Sequence, residues 1–130
     1  MGTYLLGLVE ELRKRGVYVG VMTNADGRMR EVLRDLEFPG ELFRVEGGKD
    51  LVVISEEEGV EKPDGEMFRI ALGRVNGRYG GGIKAEESVH VGDEEESDYE
   101  GAVRAGWRGL LVGRDVGGVE EVVSYVDRNS

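Results

Sequence analysis

The run VYVGVMTNAD, residues 17–26, decides the architecture. Its first six residues, 17–22, are a short, valine-rich apolar stretch, which reads as a β-strand buried on both faces. A hydroxyl, Thr23, and an amide, Asn24, follow at its end, and Asp26 is a residue type that caps helices. Upstream, Leu5, Leu8, Val9 and Leu12 recur at spacings of three and four. That is the stripe of an amphipathic helix over 4–15, closed by a basic turn (Arg13, Lys14, Arg15) and Gly16. Downstream, Met29, Val32, Leu33 and Leu36 predict a second helix with one inward face, ended at Pro39 and Gly40.

The same alternation continues to the end of the chain. LVVI (51–54) reads as a strand, with the acidic run Glu56, Glu57, Glu58 just beyond it. Pro63 and Asp64 open a third helix whose inward residues are Met67, Phe68, Ala71, Leu72 and Val75. Residues 76–84, NGRYGGGIK, have no periodicity and read as a loop. VHVG (89–92) is a third strand leading to Asp93, and Ser97 with Glu100 has capping-box spacing for a fourth helix. LLV (110–112) is a fourth strand, and Val119, Val122, Val123 and Val126 suit a final short helix. The order αβαβαβαβα predicts an α/β domain with a parallel sheet of about four strands between helical layers. So small an open sheet has edges that need protection, by a further strand or by a partner.

Composition sets the limits. The 130 residues allow one domain, 1–130, with one core. There is no cysteine, so disulfides, thiol catalysis and cysteine-ligated metals are excluded, and a cytoplasmic location is expected. One histidine cannot make a histidine cluster. No apolar run reaches the roughly 20 residues of a membrane span, and no basic stretch precedes an apolar one as in a signal peptide. With 17 basic and 27 acidic residues the net charge of −10 repels nucleic acid and anionic lipid, so neither is expected as a partner. The 22 glycines follow no three-residue period, which excludes collagen and points to turns and close backbone approaches.

In open α/β sheets ligands gather beyond the carboxyl ends of the strands. Thr23 and Asn24 lie there after the first strand, Lys62 before the third helix, and Asp93 and Asp98 after the third strand. A hydroxyl, an amide and an ammonium suit phosphate; two carboxylates with water suit Mg²⁺. Each residue also has a plain reading. Thr23, Asn24 and Asp26 are turn and cap chemistry, and Lys62 is a solvated lysine. Asp93 satisfies a turn, and Asp98 favours a helix N-terminus. Glu94, Glu95 and Glu96 read as a solvated run, His90 as a packed or hydrogen-bonded strand residue, and Trp107 as core or rim packing.

Three stretches, GVYVGVMTNADGRMREVLRDL, ISEEEGVEKPDGEMFRIAL and SVHVGDEEESDYEGAVRAGWRGLLVG, resemble in order and spacing the C-terminal part of a haloacid dehalogenase-like hydrolase, over Tyr4 to Gly113. The resemblance implies a three-layer Rossmann-like core. It implies that Thr23, with its neighbour Asn24, grips a transferring phosphoryl group and that Lys62 neutralises it and the nucleophile. It further implies that Asp93 and Asp98 hold or orient Mg²⁺. Glu94 stands where the family has serine, and Ser97 where it has asparagine.

The larger departure is the family's first motif, an apolar strand ending in Asp-x-Asp that supplies the nucleophile. No Asp-x-Asp occurs in these 130 residues. The central strand that would carry it, between residues 17–22 and 89–92, and the cap are not found. The expectation is a truncated or degenerate hydrolase core without autonomous phosphatase activity and with weak metal affinity. One alternative is a Mg²⁺-dependent phosphatase of a small phosphorylated metabolite whose nucleophile comes from another chain. Another is a phosphate-binding module without turnover. The vacated strand position would be closed by direct pairing of its neighbours, or filled by a protein partner or a second copy.

Overall fold

Short valine-rich stretches form the strands, and the segments between them return as helices. The computed structural model describes residues 11–129. Of the helix expected over 4–15, residues 4–10 lie outside the described residues and 11–14 are helical. Strand β1 (Val21–Thr23) is followed by helix α1 (Met29–Asp35), then by β2 (Val52–Ile54) and a single turn, α2 (Ser55–Glu58). Helix α3 (Gly65–Tyr79), β3 (Val89–Gly92), α4 (Gly101–Arg104), β4 (Arg108–Leu111) and α5 (Val119–Arg128) complete the chain. A π-helical turn, Glu95–Glu100, leads directly into α4.

The result is a small α/β fold with two two-stranded parallel sheets flanked by helices. Strand β1 pairs with β2, Val21 opposite Val52, and β3 pairs with β4, Val89 opposite Arg108. The four expected strands are therefore present, but as two pairs and not as one sheet. Among the described residues β1 and β3 do not pair with each other. Strand β1 is also shorter than the apolar run that predicted it. Leu51, just before β2, donates its N–H to Leu42 O at 3.0 Å, so the ladder starts only where Val21 N–H meets Leu51 O at 2.9 Å.

Each pair has its own apolar cluster. Leu33, Phe38, Leu42, Leu51, Val52 and Ile54 pack beside β1–β2; Leu110, Val116, Val122 and Val123 pack beside β3–β4. Met67 and Phe68 of α3 are wholly buried, as the helical stripe predicts. Phe68 meets Trp107 edge-on, ring centres 5.3 Å apart, which gives Trp107 the packing role read from sequence.

Four local expectations are corrected. Val32 of α1 and Leu36 just beyond it, read as inward, are exposed, because this seven-residue helix ends before Leu36 and turns only Leu33 fully into the core. Asp26 is not the α1 cap: its Oδ1 accepts the Arg28 N–H at 2.9 Å, a local turn ahead of the helix. Helix α3 runs on to Tyr79, and the Asn76 amide exchanges two hydrogen bonds with the Ile83 backbone, so the loop after it starts later and is tied back. Ser97 does not cap a helix; its hydroxyl donates to Glu94 at 3.3 Å within the π-helical turn.

Candidate functional site

The carboxyl ends of β1 and β3 converge on Lys62. Asn24, the residue after β1, accepts the Lys62 N–H at 2.8 Å and donates to the Lys62 carbonyl at 3.0 Å. This two-point grip fixes the Lys62 backbone, and its cis peptide to Pro63, against the end of β1. The Lys62 ammonium then donates to Asp98 Oδ1. Both side chains are more than nine-tenths buried.

Asp98 reaches this place from the π-helical turn. Its six-residue spacing from Gly92 folds the carboxylate back over the strand end. A Cβ at Gly92 would collide with the Asp98 carboxylate, so glycine is required there by close approach. Oδ1 also faces His90 Nε2 at 2.9 Å, and Oδ2 accepts the Glu94 N–H at 3.1 Å. Burial alone would push the Asp98 carboxyl up. The bonds from His90 and Lys62, the Lys62 charge and the Glu94 N–H outweigh it and hold the carboxyl well below the usual range. Burial pushes the His90 imidazole down, against the opposing pull of Asp98.

An open cleft of about 570 Å³ lies over this network, lined by Asn24, Lys62, Asp93 and the acidic run 94–96. The structure thus brings Asn24, Lys62 and Asp98 into one bonded chain and sets Asp93 on the cleft wall. Thr23 ends β1 half-buried and does not line the cleft. Glu61 joins the lining, so five carboxylates surround one lysine that is already paired. An anion must reach the ammonium past that field.

His90, read from sequence as a packed or hydrogen-bonded residue, is both, with Phe68 against its ring and Asp98 on Nε2, a partner not evident in the sequence. The sequence reading missed the need for glycine at Gly92 and at Gly101, where a Cβ would press on Pro63 and Phe68 at 3.0–3.1 Å. The available signal was the GDEEESD spacing, which only a π-helical turn closes onto the strand end.

For Mg²⁺ the donor set is incomplete. Among the described residues no three His, Asp or Glu groups gather to hold a metal. Both Asp98 oxygens are engaged, which leaves Asp93 as the open carboxylate of the expected pair. These residues alone do not fit the ion, which takes several oxygen ligands.

Comparisons with known proteins place the chain in a hydrolase family. The model of the haloacid dehalogenase-like hydrolases matches residues 4–106, and the chain belongs to that family. Ribulose-1,5-bisphosphate 5-phosphatase of Halopiger xanaduensis is 38% identical over 103 residues, 79% of this chain and 38% of that protein. Glyceraldehyde 3-phosphate phosphatase of Methanopyrus kandleri is 51% identical over 55 residues, 42% of this chain and 21% of its own length. The crystal structure of a HAD phosphatase from Thermococcus onnurineus superposes with a TM-score of 0.71 at 21% identity. That match covers 93% of this chain and 55% of the other, and shows the fold. The chain therefore spans well under half the length of the first of these relatives.

Proposed function

We propose that these 130 residues are a truncated or degenerate form of the hydrolase core, a single domain that keeps the phosphate-facing side of the site without phosphatase activity of its own. Thr23, Asn24 and Lys62 are its phosphate-side residues. Asp93 and Asp98 would face a metal only in a site completed by a further carboxylate; in this chain Asp98 serves as the carboxylate that holds Lys62. The observation that carries this reading is the state of Asp98. It is the carboxylate in contact with Lys62, and both its oxygens are engaged. A covalent route needs a carboxylate free to attack, and Asp98 is committed to holding Lys62, its ion-pair partner among the described residues.

The test is an assay of the purified chain with p-nitrophenyl phosphate and Mg²⁺. No turnover above that of the Asp93→Asn and Lys62→Ala variants is expected. Turnover that both substitutions abolish would overturn the reading.

A second reading is favoured by the edges of β1 and β3 left unpaired among the described residues, β1 leading to Lys62 through Asn24 and β3 through His90 and Asp98. In it an apolar strand from another chain, a partner or a second copy, adds between them and brings the missing carboxylate. The completed site then hydrolyses a small phosphorylated metabolite with Mg²⁺. The phosphorylated sugars in the names of two relatives support that substrate class. If no strand joins, the same residues serve as a phosphate-binding module.

A further inference from the structure

His90 enters the site from inside β3, and the network above leaves its role open. An ionised carboxylate only accepts hydrogen bonds, so at 2.9 Å from Asp98 Oδ1 the imidazole must be the donor. Nε2 therefore carries a proton, and in the neutral ring, which burial favours, Nδ1 is bare. Three donors reach one carboxylate: His90 and Lys62 on Oδ1, the Glu94 N–H on Oδ2. Together they fix its rotation about the Cβ–Cγ bond. The imidazole is itself held edge-on by Phe68, with ring centres 5.5 Å apart at 90°, and Phe68 is wholly buried against Trp107. A line of contacts thus runs Trp107, Phe68, His90, Asp98, Lys62, from the packed interior to the floor of the cleft.

Without the imidazole, Oδ1 would be left to Lys62 alone, while the Glu94 N–H still holds Oδ2, and the ammonium would be drawn further into the pair. With it, Oδ1 is shared, and Lys62 spends one of its three N–H donors there. We propose that His90 is a positioning residue for Lys62, acting through Asp98 as the Nε2–H tautomer, so that the ammonium keeps donors for an anion in the cleft. This rests on the phosphate-facing reading for its ligand, but its geometry is separable from it.

The test uses the whole chain labelled with ¹⁵N. Because the chain has one histidine, its imidazole signals need no further assignment. The Nε2–H tautomer is expected at pH 8; the Nδ1–H tautomer or an imidazolium there overturns the proposal. Inorganic phosphate is then titrated into wild type, His90→Leu, which removes the donor, and His90→Gln, which restores an N–H near the place of Nε2. Leucine should weaken phosphate binding about tenfold and glutamine should recover it to within about twofold, the scale of one hydrogen bond to a charged group. No loss in the leucine variant, or equal loss in both, refutes the positioning role. If wild type binds no phosphate, the phosphate-facing reading fails separately. The Lys62 Nζ resonance then decides: displaced by leucine and returned by glutamine it upholds the positioning role, unmoved it ends it.

Discussion

At the scale of single residues, the buried trio of Lys62, Asp98 and His90 sets how the protein answers to acid. His90 titrates below its ordinary value near 6.5, because burial disfavours the cation and the Lys62 charge adds to that, against the pull of Asp98. The unfolded chain therefore takes up this proton first, and stability declines as pH falls through 6.5 toward the folded value. Asp98 is also depressed, despite its burial, by its bonds to His90 and Lys62. Its contribution is complete above about 3.8 and is lost only as pH falls below that, toward the folded value. Acid loss should thus come in two stages. Urea midpoints should drop from pH 7.5 to pH 5 in wild type and stay level over that interval in His90→Gln; an equal drop in both would assign the upper stage to other groups. Of this trio, the sequence made Lys62 and Asp98 visible through motif spacing. It could not show that His90 shares an oxygen with Lys62, because a strand residue is joined to a later turn only by the fold.

At the scale of elements, β2 shows how a free strand edge is managed. The outer edge of β2 is closed by side chains. Arg30 and Arg74 both donate to the Val52 carbonyl, at 3.1 and 3.0 Å, and the Asp50 carboxylate accepts the Val52 N–H at 3.1 Å. The guanidiniums are neutralised in turn by Asp50, Glu57 and Glu58. Polar groups that would otherwise template another strand are thus occupied. Arg74→Met should cost about 3 kcal/mol, the usual scale for breaking a buried ion pair from one side, and should raise the tendency to self-associate. Urea unfolding and size-exclusion chromatography measure the two effects, and a change under about 0.5 kcal/mol would mean the pair is effectively solvated. The sequence showed Glu56–Glu58 only as an acidic run beyond a strand. That two of them neutralise arginines from α1 and α3 is a consequence of packing. The helix stripes were legible where a helix is long, as in α3, and misleading in α1. One turn more or less decides which of its apolar residues reaches the core.

At the scale of the whole molecule, the two sheet pairs meet through α3 and the Lys62 network, and among the described residues β1 and β3 each pair on one side only. In a parallel ladder successive residues turn their backbone groups to opposite sides. Val21 is bonded toward β2, and Ser88 and Gly92 toward β4, so Met22, Val89 and Val91 point the other way. Strand β2 is fully buried, while β1 and β3 are only half-buried, which agrees with vacant edges among the described residues. The amides of Met22, Val89 and Val91 should exchange faster than that of Val21. An apolar strand peptide ending in Asp-x-Asp should slow them and restore phosphatase activity with Mg²⁺. If the peptide neither protects these amides nor restores turnover, the strand-addition reading fails. Among the described residues no helix is long and apolar enough to cross a membrane.

The sequence by itself determined the α/β alternation, the existence and order of four strands, and the family. All of these follow from local pattern: apolar runs, glycine and proline punctuation, and motif spacing along one chain. Only the tertiary structure decided that the strands form two pairs, that β2 seals its edge with arginines, and that Asp98 is shared by Lys62 and His90. Those outcomes depend on which distant residues compete for the same hydrogen-bonding group. That competition has no signature in local order, because it is settled by the folded packing.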